Sequence, residues 1–539
     1  DYHLPWVYLH GIKDYSDMAS HLENNPDARA VVNFAPVLLE QIDDYANQIQ
    51  AWLERGTLIR DPLLAALAGP GLPVDTDSRR QIMAACLRAN ERHLIHRFKR
   101  FSHLAELARQ VLEDEAMAAY LNDQFLVDLM VWYHLAWIGE CVRINDICIR
   151  SLQSKRHGFD ADDRRRLVQL IGEVLNNLTQ RYAQLEEQGR VELSVTPYAH
   201  PILPLLIDIV SAREAMPEIT MPELQQYPDG ESRARWHVRT GIEVFEQHFG
   251  FRPKGCWPSE GAVSEVTLKL LEEEGFRWAA TGQQVLNNSL MQSLGHLPEN
   301  WVHTPYRVLE GRLNMFFRDD GLSDLIGFTY GDWHSDDAVA DLISHLENIA
   351  KACTANPDAV VSIIMDGENA WEYYPRNASY FLSTLYKRLA EHPRLQLTTF
   401  SEVQASQQQA PPRLSKLVAG SWVYGTFSTW IGDRDKNRAW DMLGEAKVVY
   451  DKAISDKSYS PEQLQELEKQ LAICEGSDWF WWFGDYNPGA TVSDFERLFR
   501  QQLTHLYELL DEPAPEYLSK VFAVGSGDPS QGGTMRKND

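Results

Sequence analysis

Short apolar segments recur along the chain, and most of them run directly into polar or aromatic residues. Six of them adjoin helical stretches and one lies earlier: VELSVTPYAHP, PKGCWPSEG, FRWAATGQ, RLNMFFRDD, AVVSIIMDGEN, RLQLTTFSE and, earlier, RAVVNFAP. Apolar strands that alternate with helices indicate an α/β protein with a parallel sheet. Because nearly every predicted strand ends in polar or aromatic residues, we favour a barrel, in which catalytic residues follow the strands. An open doubly wound sheet is the alternative.

Two parts of the chain have a helical pattern instead. From about residue 40 to 190, apolar positions recur at three- and four-residue spacing, as in FLVDLMVWYHLAWIGECV. Helical patterns return after residues 411–412, where SPEQLQELEKQLAIC carries a Ser-Pro-Glu start signal. We therefore predict a catalytic domain over residues 1–400 with a mainly helical insertion at about 40–190. A C-terminal helical domain over 411–524 and a flexible tail over 525–539 complete the prediction.

The charge balance narrows the choice of partner. The formal net charge is −26, with 77 acidic residues against 51 Lys and Arg. Nucleic acids and anionic membranes need positive patches, so we expect neither as a partner. The six cysteines show no metal or disulfide spacing, and we see neither a signal peptide nor an 18-residue apolar run. We expect a cytoplasmic protein, although the sequence begins with Asp1 rather than Met, which is consistent with a missing N-terminal segment.

Two carboxylates follow predicted strands and have tryptophans close by. Asp366 ends VVSIIMD and precedes Trp371, while Glu260 ends GCWPSE and follows Trp257. Glycosidic bonds are cleaved by two such carboxyl groups, one that protonates the leaving oxygen and one that attacks the anomeric carbon or activates water. Flat aromatic rings beside them suit the apolar faces of sugars. The structural alternatives are a helix cap for Glu260 and a turn residue for Asp366.

Several long motifs resemble glycoside hydrolase family 57. These are GCWPSEGAVS, DGENAW, EGSDWFWWFGD, VTPYAHPILPLL and LPWVYLHGIKDYSDMA, which together extend over most of the chain. The family contains amylases, amylopullulanases, glucanotransferases and branching enzymes that act on α-glucans. The resemblance implies an incomplete (β/α)7 barrel followed by a helical domain, and retention of anomeric configuration by double displacement.

The resemblance also implies roles for individual residues. Glu260 would be the nucleophile, which must stay ionised, and Asp366 the general acid/base, whose pKa would be raised by burial beside Trp371. The implied substrate-site residues are His200, Trp257, Glu368, Trp371 and Asp478. The family's first conserved region, a His-Gln-Pro segment, would come before LPWVYLHG and is absent from this sequence, which we attribute to truncation.

Other aromatic and polar residues are weaker candidates for the substrate site. His10 and Asp14 could contact sugar, or could be satisfied polar residues of a loop. SDWFWWFGD brackets three tryptophans with two aspartates, so we predict that Asp478 and Trp479 belong to a wall of the sugar cleft. Trp422 in GSWVYGTFSTW is expected to contribute as well.

We predict no metal and no cofactor. His334 in GDWHSDD has no second histidine at ligand spacing, and no dinucleotide, phosphate-loop or Ser-His-Asp signature is present. The favoured function is an amylase- or amylopullulanase-like glycosidase that cuts α-1,4 and α-1,6 bonds. The alternatives are a 4-α-glucanotransferase or branching enzyme, a non-catalytic glycan-binding protein, and a metal-dependent deacetylase or mannosidase.

Overall fold

A seven-stranded sheet lies at the centre of the computed structural model, which describes residues 2–114, 116–117 and 121–527. The strands are β1 (Ala30–Phe34), β2 (Val191–Val195), β3 (Gly255–Cys256), β4 (Trp278–Gly282), β5 (Tyr306–Val308), β6 (Asn314–Arg318) and β7 (Arg413–Leu414). Their order across the sheet is β1-β2-β3-β4-β6-β5-β7. All neighbours are parallel except β5 and β6. The predicted α/β class with a mainly parallel sheet is confirmed.

Five of the predicted strands are present, as β1, β2, β3, β4 and β6, and two predictions were wrong. The VVSIIMD segment contributes a single parallel bridge, between Ser362 and Arg318. RLQLTT forms no strand; Thr399 at its end instead caps the helix Phe400–Ser406. Strands β5 and β7 are three and two residues long, too short to produce an alternation pattern that could be recognised from sequence.

The central strands are apolar because both faces of the sheet are covered. Every residue of β2, β4 and β6 is buried, as expected for a parallel sheet between layers. Glu192 in β2 is charged, although it is as buried as its apolar neighbours. Its carboxylate accepts hydrogen bonds from Trp278 Nε1 at 2.7 Å and from the Ser401 backbone N–H at 2.8 Å, so the buried charge is satisfied.

The segment between β1 and β2 is helical, as predicted, and the described residues within it contain no strand. Its α-helices are Pro36–Arg55, Pro62–Ala68, Thr76–Cys86, Lys99–Glu113, Asp123–Trp137, Glu140–Asn145, Ile147–Lys155 and Ala161–Glu187. The last helix begins at a capping box, in which Asp160 and Asp163 each accept the other's backbone N–H. Tyr182 of this helix packs edge-on against Phe34 of β1 with ring centroids 5.1 Å apart. The insertion and the sheet therefore share one apolar core.

Further helices precede the sheet or connect its strands. Trp6–His10, Gly11–Tyr15 and Ser16–Asn24 form an almost continuous helical N-terminal segment, the middle part of which is a π-helix. The longer connecting α-helices are Gly230–Phe249, Glu265–Glu273, Gln283–Leu294, Ser335–Ala352 and Ser379–Ala390. Shorter ones are Leu203–Ile207, Ala212–Ala215 and Asp320–Asp324.

The C-terminal part is helical from residue 434 onward. Its α-helices are Arg434–Asp456, Pro461–Cys474, Ser477–Trp482 and Gly489–Leu509. The predicted boundary at residue 411 cuts off a strand, because β7 pairs with β5 of the sheet. Residues 525–527 of the predicted flexible tail are held by backbone hydrogen bonds, including one from Gly527 N to Asn487 O at 2.9 Å. Residues 528–539 lie outside the described residues.

Within the described residues, no helix combines the length and the apolar character needed to cross a bilayer.

Candidate active site

Glu260 lies in a single helical turn, Ser259–Gly261, directly after β3. Its backbone has φ of 56°, in the left-handed region that non-glycine residues rarely adopt. The following helix is capped by Ser264, whose hydroxyl accepts from Thr267 N at 3.2 Å. The helix-cap alternative for Glu260 was therefore wrong, and its carboxylate is free for other contacts.

Three predicted site residues surround the Glu260 carboxylate. Trp422 Nε1 donates to Glu260 Oε2 at 3.0 Å, and Trp422 N donates to the Glu260 carbonyl at 3.2 Å. His200 Nδ1 lies 4.0 Å from Oε1 on the other side. Trp257 packs edge-on against Trp422, with centroids 5.4 Å apart and ring planes at 84°. The structure thus brings together side chains that follow β2 and β3 with one from residue 422.

The environment of Glu260 differs from the expectation of a permanently ionised nucleophile. Burial raises the pKa of Glu260 to about 7, and the negative charges of Asp366 and Asp478 act in the same direction. His200 and the hydrogen bond from Trp422 favour the ionised form and partly oppose this rise. The carboxyl group of Glu260 therefore holds its proton more tightly than an ordinary glutamate does.

Asp366 follows the Ser362 bridge to β6 and directly precedes a turn over residues 367–370, rather than closing a turn before Gly367. Its carboxylate accepts from Asn369 Nδ2 at 3.1 Å. Burial raises the pKa of Asp366, while Asn369, Arg318 and His200 oppose the rise. A buried aspartate that holds its proton more tightly than usual suits a general acid.

Glu368 is a third buried carboxyl group in the same loop. Burial raises its pKa to about 8, and the charges of Asp366 and Asp14 add to the effect, whereas Lys13 opposes it. Glu368 therefore couples the loop that carries Asp366 electrostatically to the N-terminal helical segment.

His10 and Asp14 lie in that N-terminal segment and form a compact cluster with Lys13. His10 Nδ1 is 2.6 Å from one oxygen of Asp14, and Lys13 Nζ is 2.7 Å from the other. Although burial alone would raise the pKa of Asp14, Lys13 and His10 outweigh it and lower the pKa. Lys13 also donates to Asn377 Oδ1 at 3.2 Å. His10 thus belongs to a charged cluster, and its contact with sugar stays a prediction.

Residues 475–478 approach His200 from the C-terminal region. His200 Nδ1 lies 2.8 Å from Ser477 Oγ, and Ser477 N donates to the His200 carbonyl at 2.9 Å. His200 itself has φ of 59°. Asp478, the next residue, is exposed to solvent, as a residue that hydrogen-bonds sugar hydroxyls would be in an open cleft.

A buried ionic network behind this contact was not predicted. Glu475 is 1% exposed and accepts from Arg233 Nη2 at 2.8 Å, from Arg233 Nε at 3.0 Å and from Tyr227 OH at 2.7 Å. His237 Nε2 lies 2.7 Å from its other oxygen. The network fixes the start of the 475–478 segment to the helix Gly230–Phe249 of the sheet layer. The motif EGSDW does not indicate that Glu475 belongs to an ionic network, because the partners of Glu475 are far away in sequence.

Trp371 and Trp479 contact other parts of the molecule. Trp371 packs against Tyr374, with centroids 5.9 Å apart, and lines a recess shared with Lys13. Trp479 Nε1 donates to the Ile473 carbonyl at 2.7 Å. The ring of Trp479 packs against Phe495 and Phe499 of the last long helix. Both remain predictions as sugar contacts.

No metal site accompanies these carboxylates. Within the part of the chain that the structure describes, no group of three or more His, Cys, Asp and Glu side chains is placed to hold a metal ion.

Comparisons with known proteins agree on a family and a fold. The family model for Glycosyl hydrolase family 57 matches residues 1–417. A family 57 branching enzyme from Thermococcus kodakaraensis is 14% identical, with a TM-score of 0.55 and coverage of 94% of this chain and 85% of that chain. A branching enzyme of the same family from Pyrococcus horikoshii is 15% identical, with a TM-score of 0.53 and coverage of 95% and 91%.

A third solved structure is an α-amylase from Thermotoga maritima. It is 13% identical, with a TM-score of 0.55 and coverage of 96% of this chain and 92% of that chain. At such identities, the likeness of all three structures concerns the fold. No curated protein matches the chain.

Proposed function

The chain belongs to glycosyl hydrolase family 57, and we propose that it acts on α-glucans by a retaining double displacement. Glu260 is the nucleophile and Asp366 the general acid/base in this proposal. The observation that carries it is the pairing of two half-buried carboxyl groups: Glu260 follows β3, Asp366 follows the Ser362 bridge, the charge of Asp366 acts on Glu260, and the indole of Trp422 holds Glu260.

The first half-reaction uses opposite protonation states of the two acids. The Glu260 carboxylate attacks the anomeric carbon while Asp366 transfers its proton to the leaving glycosidic oxygen. The raised pKa of Asp366 supports the role of proton donor. The Trp422 N–H and a nearby His200 favour the carboxylate form of Glu260, and attack requires that form.

In the second half-reaction, Asp366 acts as a base. It removes a proton from the acceptor, whose oxygen then attacks the anomeric carbon and releases Glu260. If the acceptor is water, the enzyme is an amylase- or amylopullulanase-like hydrolase cutting α-1,4 and α-1,6 bonds. If the acceptor is a sugar hydroxyl, it is a 4-α-glucanotransferase or a branching enzyme.

Both outcomes have support from the fold comparisons, which include two branching enzymes and an α-amylase. Sizing the products formed from maltoheptaose and soluble starch separates them. Exclusively shorter products identify a hydrolase, longer linear products a glucanotransferase, and new α-1,6 branch points a branching enzyme. Intact substrate after prolonged incubation would favour the alternative of a non-catalytic glycan-binding protein.

We also propose how the chain is organised around this site. An incomplete (β/α)7 barrel over residues 1–400 is supported by the run of parallel strands and by the Ser362 bridge, which sets a further parallel segment beside β6. A C-terminal helical domain is supported by a second apolar core, separate from that of the sheet and insertion, in which most buried side chains come from residues 419–523. Substrate contacts are assigned to His10, His200, Trp257, Glu368, Trp371, Trp422, Asp478 and Trp479. The six free thiols support a cytoplasmic setting.

The roles of the two acids can be tested separately with paired variants. Glu260→Gln and Asp366→Asn should each lower starch conversion by about 10³-fold or more while the unfolding temperature stays close to that of the parent. With a maltosyl fluoride donor, whose leaving group needs no proton, Asp366→Asn should still form the glycosyl-enzyme, whereas Glu260→Gln should not.

The matched control is Glu243→Gln, which alters an exposed glutamate on the helix Gly230–Phe249. It should leave both reactions unchanged. Starch conversion near the parental rate by either acid variant would contradict the assignment. Consumption of maltosyl fluoride by Glu260→Gln would contradict it as well.

A further inference from the structure

Arg318 is the last residue of β6 and its guanidinium is buried beneath the catalytic loop. Its Nη1 and Nη2 each lie 2.7 Å from a carboxylate oxygen, of Asp320 and Asp324 respectively. Its Nε donates to the carbonyl of Ile364 at 2.9 Å. Three N–H groups of one side chain are therefore committed to fixed partners, so the plane of the guanidinium is set.

The contact to Ile364 bears on Asp366. Ile364 lies two residues before Asp366, in a segment that joins the sheet only through the Ser362 bridge. With so little backbone pairing, the Arg318 side chain supplies a second attachment to β6 close to the acid. Its positive charge also counteracts the rise in the pKa of Asp366 that burial causes.

The same guanidinium reaches the other acid through an indole. Its Cζ lies 5.4 Å from the ring centroid of Trp422, in cation–π contact. That indole donates its N–H to Glu260 Oε2 at 3.0 Å. Arg318 thus contacts the Ile364 carbonyl, close to Asp366, and the Trp422 indole, which holds Glu260. It acts on the two acids through these groups.

We propose that Arg318 is a positioning residue that sets the place of Glu260 and Asp366 relative to each other. Its Nε fixes the segment that carries Asp366, and its guanidinium fixes the indole that holds Glu260. The inference rests on the proposed function, since it concerns the geometry of that acid pair. A purely structural anchor for β6 would stabilise the fold but would change neither the proton affinity of Asp366 nor turnover per folded molecule.

The test compares Arg318→Lys with Arg318→Gln, and Arg143→Gln as a control. Arg143 is likewise buried and donates to three backbone carbonyls, of residues 135, 136 and 138, but it lies in the helical insertion. For Arg318→Gln we expect kcat per folded molecule to fall about 100-fold, with KM within about threefold of the parent. Arg143→Gln should change only stability.

The pH profile supplies a readout that a structural anchor would not move. Removing the Arg318 charge raises the pKa of Asp366, so activity should persist to higher pH, with the basic limb of kcat/KM displaced upward by about one unit. Arg318→Lys retains the charge and should keep the parental basic limb while kcat remains lowered. The other titratable groups around Asp366 are Tyr15, His200, Glu260 and Glu368, and none of these variants changes them.

A variant with balanced charge covers the case in which Arg318→Gln fails to fold. Arg318→Gln combined with Asp324→Asn leaves the same local net charge as the parent and removes a carboxylate that would lose its partner. We expect the same fall in kcat but a basic limb near the parental one. Parental kcat per folded molecule in this double variant would overturn the positioning role.

A substrate-free measurement separates this inference from the proposed function. The pKa of Asp366 can be followed by NMR in protein labelled with ¹³C at aspartate carboxyl groups, assigned with Asp366→Asn. An upward shift in Arg318→Gln supports the inference even if no α-glucan is converted, in which case the proposed function alone fails. An unshifted Asp366, with a kcat that follows only the folded fraction, overturns the inference while leaving the proposed function standing.

Discussion

Replacing Glu475 by Gln tests whether the buried network behind His200 supports both the fold and the site. Gln has nearly the same shape and keeps one oxygen acceptor, but it removes the negative charge. Arg233 would then be left with its charge buried and no anionic partner within the network. Removing one member of a buried ion pair typically costs about 3–5 kcal/mol of unfolding free energy.

We expect the low end of this range, about 3 kcal/mol, because the amide oxygen still accepts a hydrogen bond. Unfolding entropy is about 2.1 cal mol⁻¹ K⁻¹ per residue, or about 1.1 kcal mol⁻¹ K⁻¹ for a chain of this length. If the described part unfolds as one unit, the unfolding temperature should fall by about 3 °C. Unfolding of the C-terminal part as a smaller cooperative unit would make the fall larger.

The stabilisation should also depend on pH. Arg233 and His237 lower the pKa of Glu475 well below its usual value of 4.5, although burial alone would raise it. A carboxylate with a depressed pKa stabilises the folded state above its unfolded pKa, and this contribution is lost as the pH falls. The difference in unfolding temperature between parent and Glu475→Gln should therefore be full at pH 7 and should shrink below about pH 5.

Differential scanning calorimetry at several pH values measures both effects, with Glu466→Gln as the control. Glu466 is an exposed residue of the same helix, Pro461–Cys474, and its replacement should change the unfolding temperature by less than 1 °C. Because Ser477 holds His200 close by, Glu475→Gln should also lower kcat/KM by about tenfold. An unfolding temperature equal to that of Glu466→Gln at pH 7 would refute the reasoning.

Two further variants probe single contacts. Trp422→Phe removes the N–H donor to Glu260, so the pKa of Glu260 should rise from about 7. The acidic limb of kcat/KM should then move to higher pH by about half a unit. An unmoved limb with a raised KM would mean that Trp422 only stacks on the sugar. Gly230→Ala would place a Cβ 1.7 Å from the Leu206 carbonyl oxygen and should lower the unfolding free energy by about 3 kcal/mol in chemical denaturation. Gly71→Ala, which meets nothing within 4 Å, is its control.

The sequence was most informative about the ends of long strands. His200 and Glu260 follow consecutive parallel strands, so their side chains had to meet at one edge of the sheet, and the structure places them 4.0 Å apart. Trp422 could be suspected from its motif, but its hydrogen bond to Glu260 could not. It comes from a segment without regular structure, 162 residues later in the chain.

The supporting charges could not be predicted because their partners are remote in sequence. Arg233 precedes Glu475 by 242 residues, and Arg318, which ends the apolar strand β6, donates to a carbonyl 46 residues later. The side chains of the aromatic run 477–485 lie in different environments for another reason. A helix turns successive side chains to different faces, so Phe480 is buried in the C-terminal core while Asp478 is exposed.

The left-handed backbone at Glu260 has a consequence for evolution and engineering. Glu260 and Gly261 have φ values of 56° and 57°, and a non-glycine residue in this region costs about 1–2 kcal/mol. Glycine would adopt the same conformation without that cost. A library of variants selected only for heat resistance should therefore enrich Glu260→Gly and lose the nucleophile. Selection for function must keep glutamate at this position, although glycine would make the fold more stable.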